Sequence, residues 1–157
     1  MYRNKDGSYQ KDDWTSVGDV GRIYEGDAFT YNMYLLFENA YISAIRTVMK
    51  LNNIKSFNLQ SLEKKEVYDY PDISKNNTID YISGLSEGYT INYRNIDFIA
   101  KLILRELLWG KFVNKNMFVH FGYDYYMYIG SRKDLGVESK IISEMGLFVE
   151  EMESPYL

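Results

Sequence analysis

The sequence predicts an α+β domain: an antiparallel sheet that includes a C-terminal aromatic hairpin, packed by two long helices and one short helix. Three observations carry this expectation. Apolar residues recur at three- and four-residue spacing over residues 30–53 and 92–110, and they alternate over residues 117–129 around a Gly-Tyr-Asp turn. The order helix, strand or strands, helix, hairpin, helix, strand contains no strict strand–helix–strand series, which points away from a parallel sheet. With 157 residues of which 46% are hydrophobic, the chain can bury one core. The expected organisation is a loose polar segment over residues 1–13 and a single domain over residues 14–157.

The stretch "WTSVGDVGRIYEGDAFT", residues 14–30, is punctuated by Gly18, Gly21 and Gly26. It reads as a turn-rich lead-in pinned by Trp14, with a short extended piece at Arg22 to Tyr24. Its glycines match no phosphate-binding pattern. Thr30 is suited to cap the helix that follows. Tyr34, Phe37, Tyr41, Ala44, Val48 and Leu51 form its apolar stripe, widened by Leu35, Ile42, Ile45 and Met49. Glu38 falls on the apolar side, as a snorkelling edge residue or as a partly buried carboxylate with a partner, and the first is preferred. Residues 54–62 alternate loosely as a strand. The irregular run 63–88 suggests a short strand near Val67 to Tyr70 and a helical turn at Ile79 to Ile82.

Residues 92–110, "NYRNIDFIAKLILRELLWG", read as the central packing helix, capped by Asn92 and ended by Gly110. In that reading Asp97, Lys101 and Arg105 form a narrow charged stripe. The hairpin "FVHFGYDYYMYIGS", residues 118–131, follows. Val119 and Phe121 should face helices, together with either Tyr125, Met127 and Ile129 or Tyr126 and Tyr128 on the return strand. Asp134 to Gly146 should be a short helix capped by Asp134, with Val137, Ile141, Ile142 and Met145 inward. "LFVEEM" is expected as a last strand, with Pro155 ending the order.

The absence of cysteine and the single histidine exclude disulfides, thiolate nucleophiles, and cysteine or multi-histidine metal sites. No apolar run approaches the roughly 18 residues of a spanning helix, and the polar N-terminus lacks a signal-peptide core, so a soluble cytoplasmic protein without membrane contact is expected. His120 is the one candidate for ordinary acid–base work at neutral pH. It sits mid-strand, opposite in facing to Val119 and Phe121, and no serine lies in an activated G-x-S-x-G turn; a structural role is expected, and no enzyme, cofactor or metal. "FVHF" matches only the tail of an RNA-recognition motif, which with an acidic chain argues against direct nucleic-acid binding.

Charge is concentrated at one end. From Asp134 to Leu157 six acids (Asp134, Glu138, Glu144, Glu150, Glu151, Glu153) stand against one base (Lys140), a net −5, which leaves +1 for the other residues of a chain whose net charge is −4. A basic partner would be drawn to such an end. Sixteen tyrosines supply amphipathic rings of the kind enriched at protein interfaces.

The glycine and aromatic placement in "WTSVGDVGRIYEG", "FTYNMYLLFENAYISAI", "HFGYDYYMYIG" and the late "SPY" resembles small immunity proteins of bacterial contact-dependent growth inhibition and related polymorphic toxin systems. The resemblance spans most of residues 14–157 and contains no catalytic signature. It implies a non-enzymatic cytoplasmic inhibitor that binds one cognate toxin domain, often a nuclease, and blocks it; it carries over no contact residues. The residues themselves nominate an interface of Tyr123, Asp124, Tyr126, Tyr128, Asp134, Glu138, Glu150, Glu151 and Glu153. The alternative is a small carboxylate-dependent hydrolase or a small-ligand binder with an aromatic-lined pocket, for which Asp69–Asp72 or Glu150–Glu151 offer themselves as paired acids. Adjacent Glu150 and Glu151 would point to opposite faces of a strand, whereas Glu151 and Glu153 would share one face if the last strand continues.

Overall fold

The computed structural model describes residues 13–122 and 125–157, and its architecture is α+β. After a 3-10 turn at Val17–Asp19, a small hairpin pairs β1 (Ile23–Tyr24) with β2 (Asp27–Ala28). Trp14 pins this lead-in as expected, its ring stacked on Phe29 at 4.5 Å. Helix α1 (Tyr31–Leu51) opens on Thr30, whose hydroxyl accepts from the Met33 N–H at 3.2 Å, and buries Tyr34, Ile42, Ala44, Ile45, Val48 and Met49.

The main sheet has the order β4-β3-β5-β6-β7 and is antiparallel throughout, built from β3 (Ser56–Lys64), β4 (Thr90–Asn92), β5 (Leu108–Asn114), β6 (Met117–Phe121) and β7 (Met127–Ser131). Phe57, Leu59, Phe112, Val119 and Phe121 point from it into one core with α1 and with α3 (Ile96–Leu104). A bulge interrupts β3 between Gln60 and Glu63. The Glu87 carboxylate accepts from the N–H groups of Ser61 and Leu62 there, each at 2.9 Å, and so satisfies amides that the register shift removes from the ladder. The remaining helices are α2 (Lys75–Ser83) and α4 (Gly136–Glu144), the latter docked on α1 through buried Ile142. Among the described residues the helices are therefore one long and three short, where two long and one short were expected.

The largest departure from expectation lies at residues 92–114. Asn92 ends β4, and its side-chain oxygen accepts from the N–H groups of Arg94 and Asn95 as the chain turns into α3. The helix stops at Leu104 because Glu106 adopts a left-handed backbone (φ 59°). Beyond it the chain becomes a strand, with Leu108, Gly110 and Phe112 buried between half-exposed Trp109 and Lys111. Gly110 is therefore a strand residue. A Cβ there would lie 2.8 Å from Leu59 Cδ1, so close packing of β3 on β5 accounts for the glycine.

Other elements are also redrawn. Val67 to Tyr70 is irregular apart from one bridge between Tyr70 and Ile73, while the turn at Ile79 to Ile82 belongs to the longer α2. "LFVEEM" pairs with no strand among the described residues. On α4, Val137 and Ile141 are exposed instead of inward, whereas Ile142 is buried and Met145 partly so. Asp134 Oδ1 accepts from Gly136 N at 2.6 Å one residue ahead of the capping position, Leu135, and Gly146 (φ 89°) closes the helix. Pro155 does not end the order, because Ser154 is buried and Tyr156 packs on the sheet.

Candidate functional site

Strand register decides which hairpin tyrosines face out. Val119 lies opposite Ile129 and Phe121 opposite Met127, so Met127 and Ile129 join the core side, where the Tyr125 ring also packs. His120 lies opposite Tyr128, on the outer face. There Tyr126 stacks on Tyr128 at 6.2 Å, and Tyr156 meets Tyr128 edge-on at 6.0 Å and Trp109 at 5.8 Å. Phe118 completes this face by lying over Gly130, where any Cβ would fall 2.0 Å from the ring.

The chain end straps this aromatic surface. Ser154 Oγ hydrogen-bonds His120 Nδ1 at 2.8 Å, and Lys111 Nζ donates to the Tyr156 carbonyl at 2.6 Å. His120 is 4% exposed and stacks on Phe118 at 4.2 Å. Burial, reinforced by the Lys111 charge, pushes its pKa down to about 4, so the ring is neutral at pH 7 and structurally committed.

Among the nominated residues, Tyr126 and Tyr128 are brought together, half-buried, beside Tyr156. Asp134 is exposed at the start of α4 and Glu138 half-exposed on it. Glu150, Glu151 and Glu153 are exposed on the irregular run that leads into the Ser154–Tyr156 strap. The acids and tyrosines are thus parts of one C-terminal segment, joined through the strap. The expected sharing of a strand face by Glu151 and Glu153 does not hold, since this run is not a strand. Tyr123 and Asp124 lie outside the described residues.

A second constellation was not anticipated. Glu38, expected at a solvent edge, is fully buried, and the Arg105 guanidinium forks onto it, Nε to Oε2 at 2.7 Å and Nη2 to Oε1 at 2.9 Å. The same guanidinium grips Asp72 at 2.7 and 3.0 Å. Arg105 is therefore not part of an exposed stripe. Lys101 Nζ stands 3.4 Å from Asp72 and 3.7 Å from Glu38. Tyr31 donates to Asp72 at 2.7 Å, Tyr34 to Glu38 at 3.1 Å, and Tyr70 to the Arg105 carbonyl at 3.2 Å. The sequence signal was a glutamate within an apolar helical stripe and an arginine within an otherwise apolar run.

Its chemistry is that of a tie. Two carboxylates balance two cations. The Arg105 hydrogen bonds hold the Asp72 carboxyl well below the usual carboxylate range, and burial holds the Tyr31 and Tyr34 hydroxyls well above the usual phenol range. The shifts of Asp72, Tyr31 and Tyr34 run away from neutrality, whereas a general acid or base needs a pKa near the working pH. The cluster fastens the loop at Asp72 to α1 and to the end of α3.

A cavity of about 30 Å³ beside Trp109, Gly122, Tyr125 and Tyr126 has room for a single water, and neither Glu38 nor Asp72 lines it. Among the described residues no group of three or more histidine, cysteine, aspartate or glutamate side chains is arranged to hold a metal ion, and no helix is long and apolar enough to cross a membrane. Comparison of the chain with family models, with curated proteins and with solved structures returns no match.

Proposed function

We propose that this protein is a cytoplasmic immunity protein that binds a cognate bacterial toxin domain, a basic nuclease domain, and blocks its active site without catalysis of its own. The observation that carries the reading is the C-terminal segment. Exposed Asp134, Glu151 and Glu153 run into a strap whose Tyr156 packs against outward-facing Tyr128, so acid and aromatic ring adjoin on one stretch of chain. A nuclease site must hold phosphates and is accordingly basic; an acidic partner is steered onto it and competes for the same charges. Aromatic anchors then supply burial at low entropic cost. The resemblance of the glycine and aromatic pattern to small immunity proteins points the same way.

The test is co-expression with the product of the adjacent upstream reading frame, followed by purification of any complex. Charge reversal at Glu150, Glu151 and Glu153 should then weaken binding at low salt and flatten its salt dependence. Unchanged affinity and unchanged salt dependence would rule out the electrostatic part of the proposal.

A further inference from the structure

Strand β7 is the outer strand of the sheet, and its register shows which backbone groups it leaves free. Hydrogen bonds from Arg132 N to Asn116 O (3.0 Å) and from Gly122 N to Tyr126 O (2.6 Å) bracket the β6–β7 ladder. With Phe118 opposite Gly130 and His120 opposite Tyr128, the alternation of an antiparallel pair assigns the ladder bonds to Tyr128 and Gly130. The N–H and C=O groups of Met127, Ile129 and Ser131 therefore point away from β6. Among the described residues no strand lies on that side.

Edge strands are normally blunted by brevity, charge, proline or a bulge. The opposite edge, β4, is only three residues long. Met127–Ser131, by contrast, is five residues without a charge, a proline or a register shift. Its free groups recur every second residue, about 6.8 Å apart, the repeat of an added strand. From Tyr126 to Leu157 six acids stand against three bases (Arg132, Lys133 and Lys140), and Lys133 is turned onto the Leu51 carbonyl at 2.6 Å. That excess repels a second copy of the chain and attracts a basic one.

We infer that β7 is a docking edge for an extended basic segment of a partner protein, which adds as a sixth strand and pairs with Met127, Ile129 and Ser131. The inference rests on the proposed function for the partner's identity, because Tyr126 and Tyr128 flank this same edge, but its geometry stands without it. The added strand would lay alternate side chains beside Tyr128 on the outer face.

The probe is an acetylated hexapeptide alternating lysine and valine, and the readout is amide hydrogen exchange of the full chain. At ten times its Kd the peptide should slow exchange at Met127, Ile129 and Ser131 about tenfold, in proportion to the free fraction, with Tyr128 and Gly130 unchanged. Ile129→Pro removes an outward N–H that β6 does not use and should abolish the effect. Should that variant fail to fold, the same peptide N-methylated on its pairing side must lose the effect on the native chain. No slowing, equal slowing by a glutamate–valine peptide, slowing by the N-methylated peptide, or concentration-dependent slowing without any peptide would each overturn the inference. Growth rescue against the neighbouring toxin is scored separately, so either idea can fail while the other stands.

Discussion

Replacing Arg105 with methionine isolates the physics of the buried tie. The side chains of Arg105 and Glu38 are both 0% exposed, and that of Asp72 is 37% exposed. Removing the guanidinium strands the Glu38 carboxylate in the core, a change that costs about 3–5 kcal/mol when a buried pair is broken. Lys101, 3.7 Å from Glu38, can compensate in part, so about 3 kcal/mol is expected, a large share of the 5–15 kcal/mol that typically holds a domain together. Urea unfolding followed by circular dichroism measures it. Asp72→Asn should lose only about 1 kcal/mol, since that partner is partly solvated and the amide oxygen can still accept from Tyr31. Adding Glu38→Gln to Arg105→Met should recover about 2 kcal/mol, because the stranded charge is gone. A loss below about 1 kcal/mol for Arg105→Met, or strict additivity of the pair, would refute the buried tie between Arg105 and Glu38.

Three further outcomes are expected. Glu106→Gly should stabilise by about 0.5–1 kcal/mol, since left-handed backbone costs a side-chain-bearing residue about 1–2 kcal/mol and glycine's extra unfolded entropy returns about half of that; thermal unfolding checks it. Gly130→Ala should cost about 1–3 kcal/mol by driving a methyl into the Phe118 ring, and Phe118→Leu should restore much of the loss in the double variant. The third concerns pH. His120 titrates at about 4 in the folded chain against about 6.5 unfolded, so the unfolded state binds the proton first. Stability is therefore full above pH 6.5 and falls as pH drops toward 4, and His120→Gln should flatten the curve between about 6.5 and 4. Asp72, its pKa lowered by Arg105, gives stability that is present above the ordinary carboxylate pKa of about 4 and lost only below it.

The legible parts of the fold were those with one clear periodicity. Thr30 and the stripe through Tyr34, Ala44 and Val48 announced α1, and alternation through Val119 and Phe121 announced the β6–β7 hairpin. The junction of α3 and β5 was illegible because "LILRELLWGKF" is apolar in both periods, and the residue that breaks the helix is Glu106 rather than a glycine. Glu38 and Arg105 read as surface charges since their partners, including Asp72 from 33 positions away, meet only in the fold. The acidic C-terminal run was visible because charge is a property of the linear chain. Which tyrosines face outward required the register, and the strap by Ser154 and Tyr156 carried no periodic signal at all.

The most direct measurement is growth of bacteria expressing the product of the adjacent upstream reading frame, with and without this protein. Growth arrested by the neighbour alone, restored by the wild-type chain, and accompanied by a co-purifying complex is the expected result. A neighbour that arrests growth regardless of this protein, or one that is harmless when expressed alone, would contradict the proposal of an immunity protein.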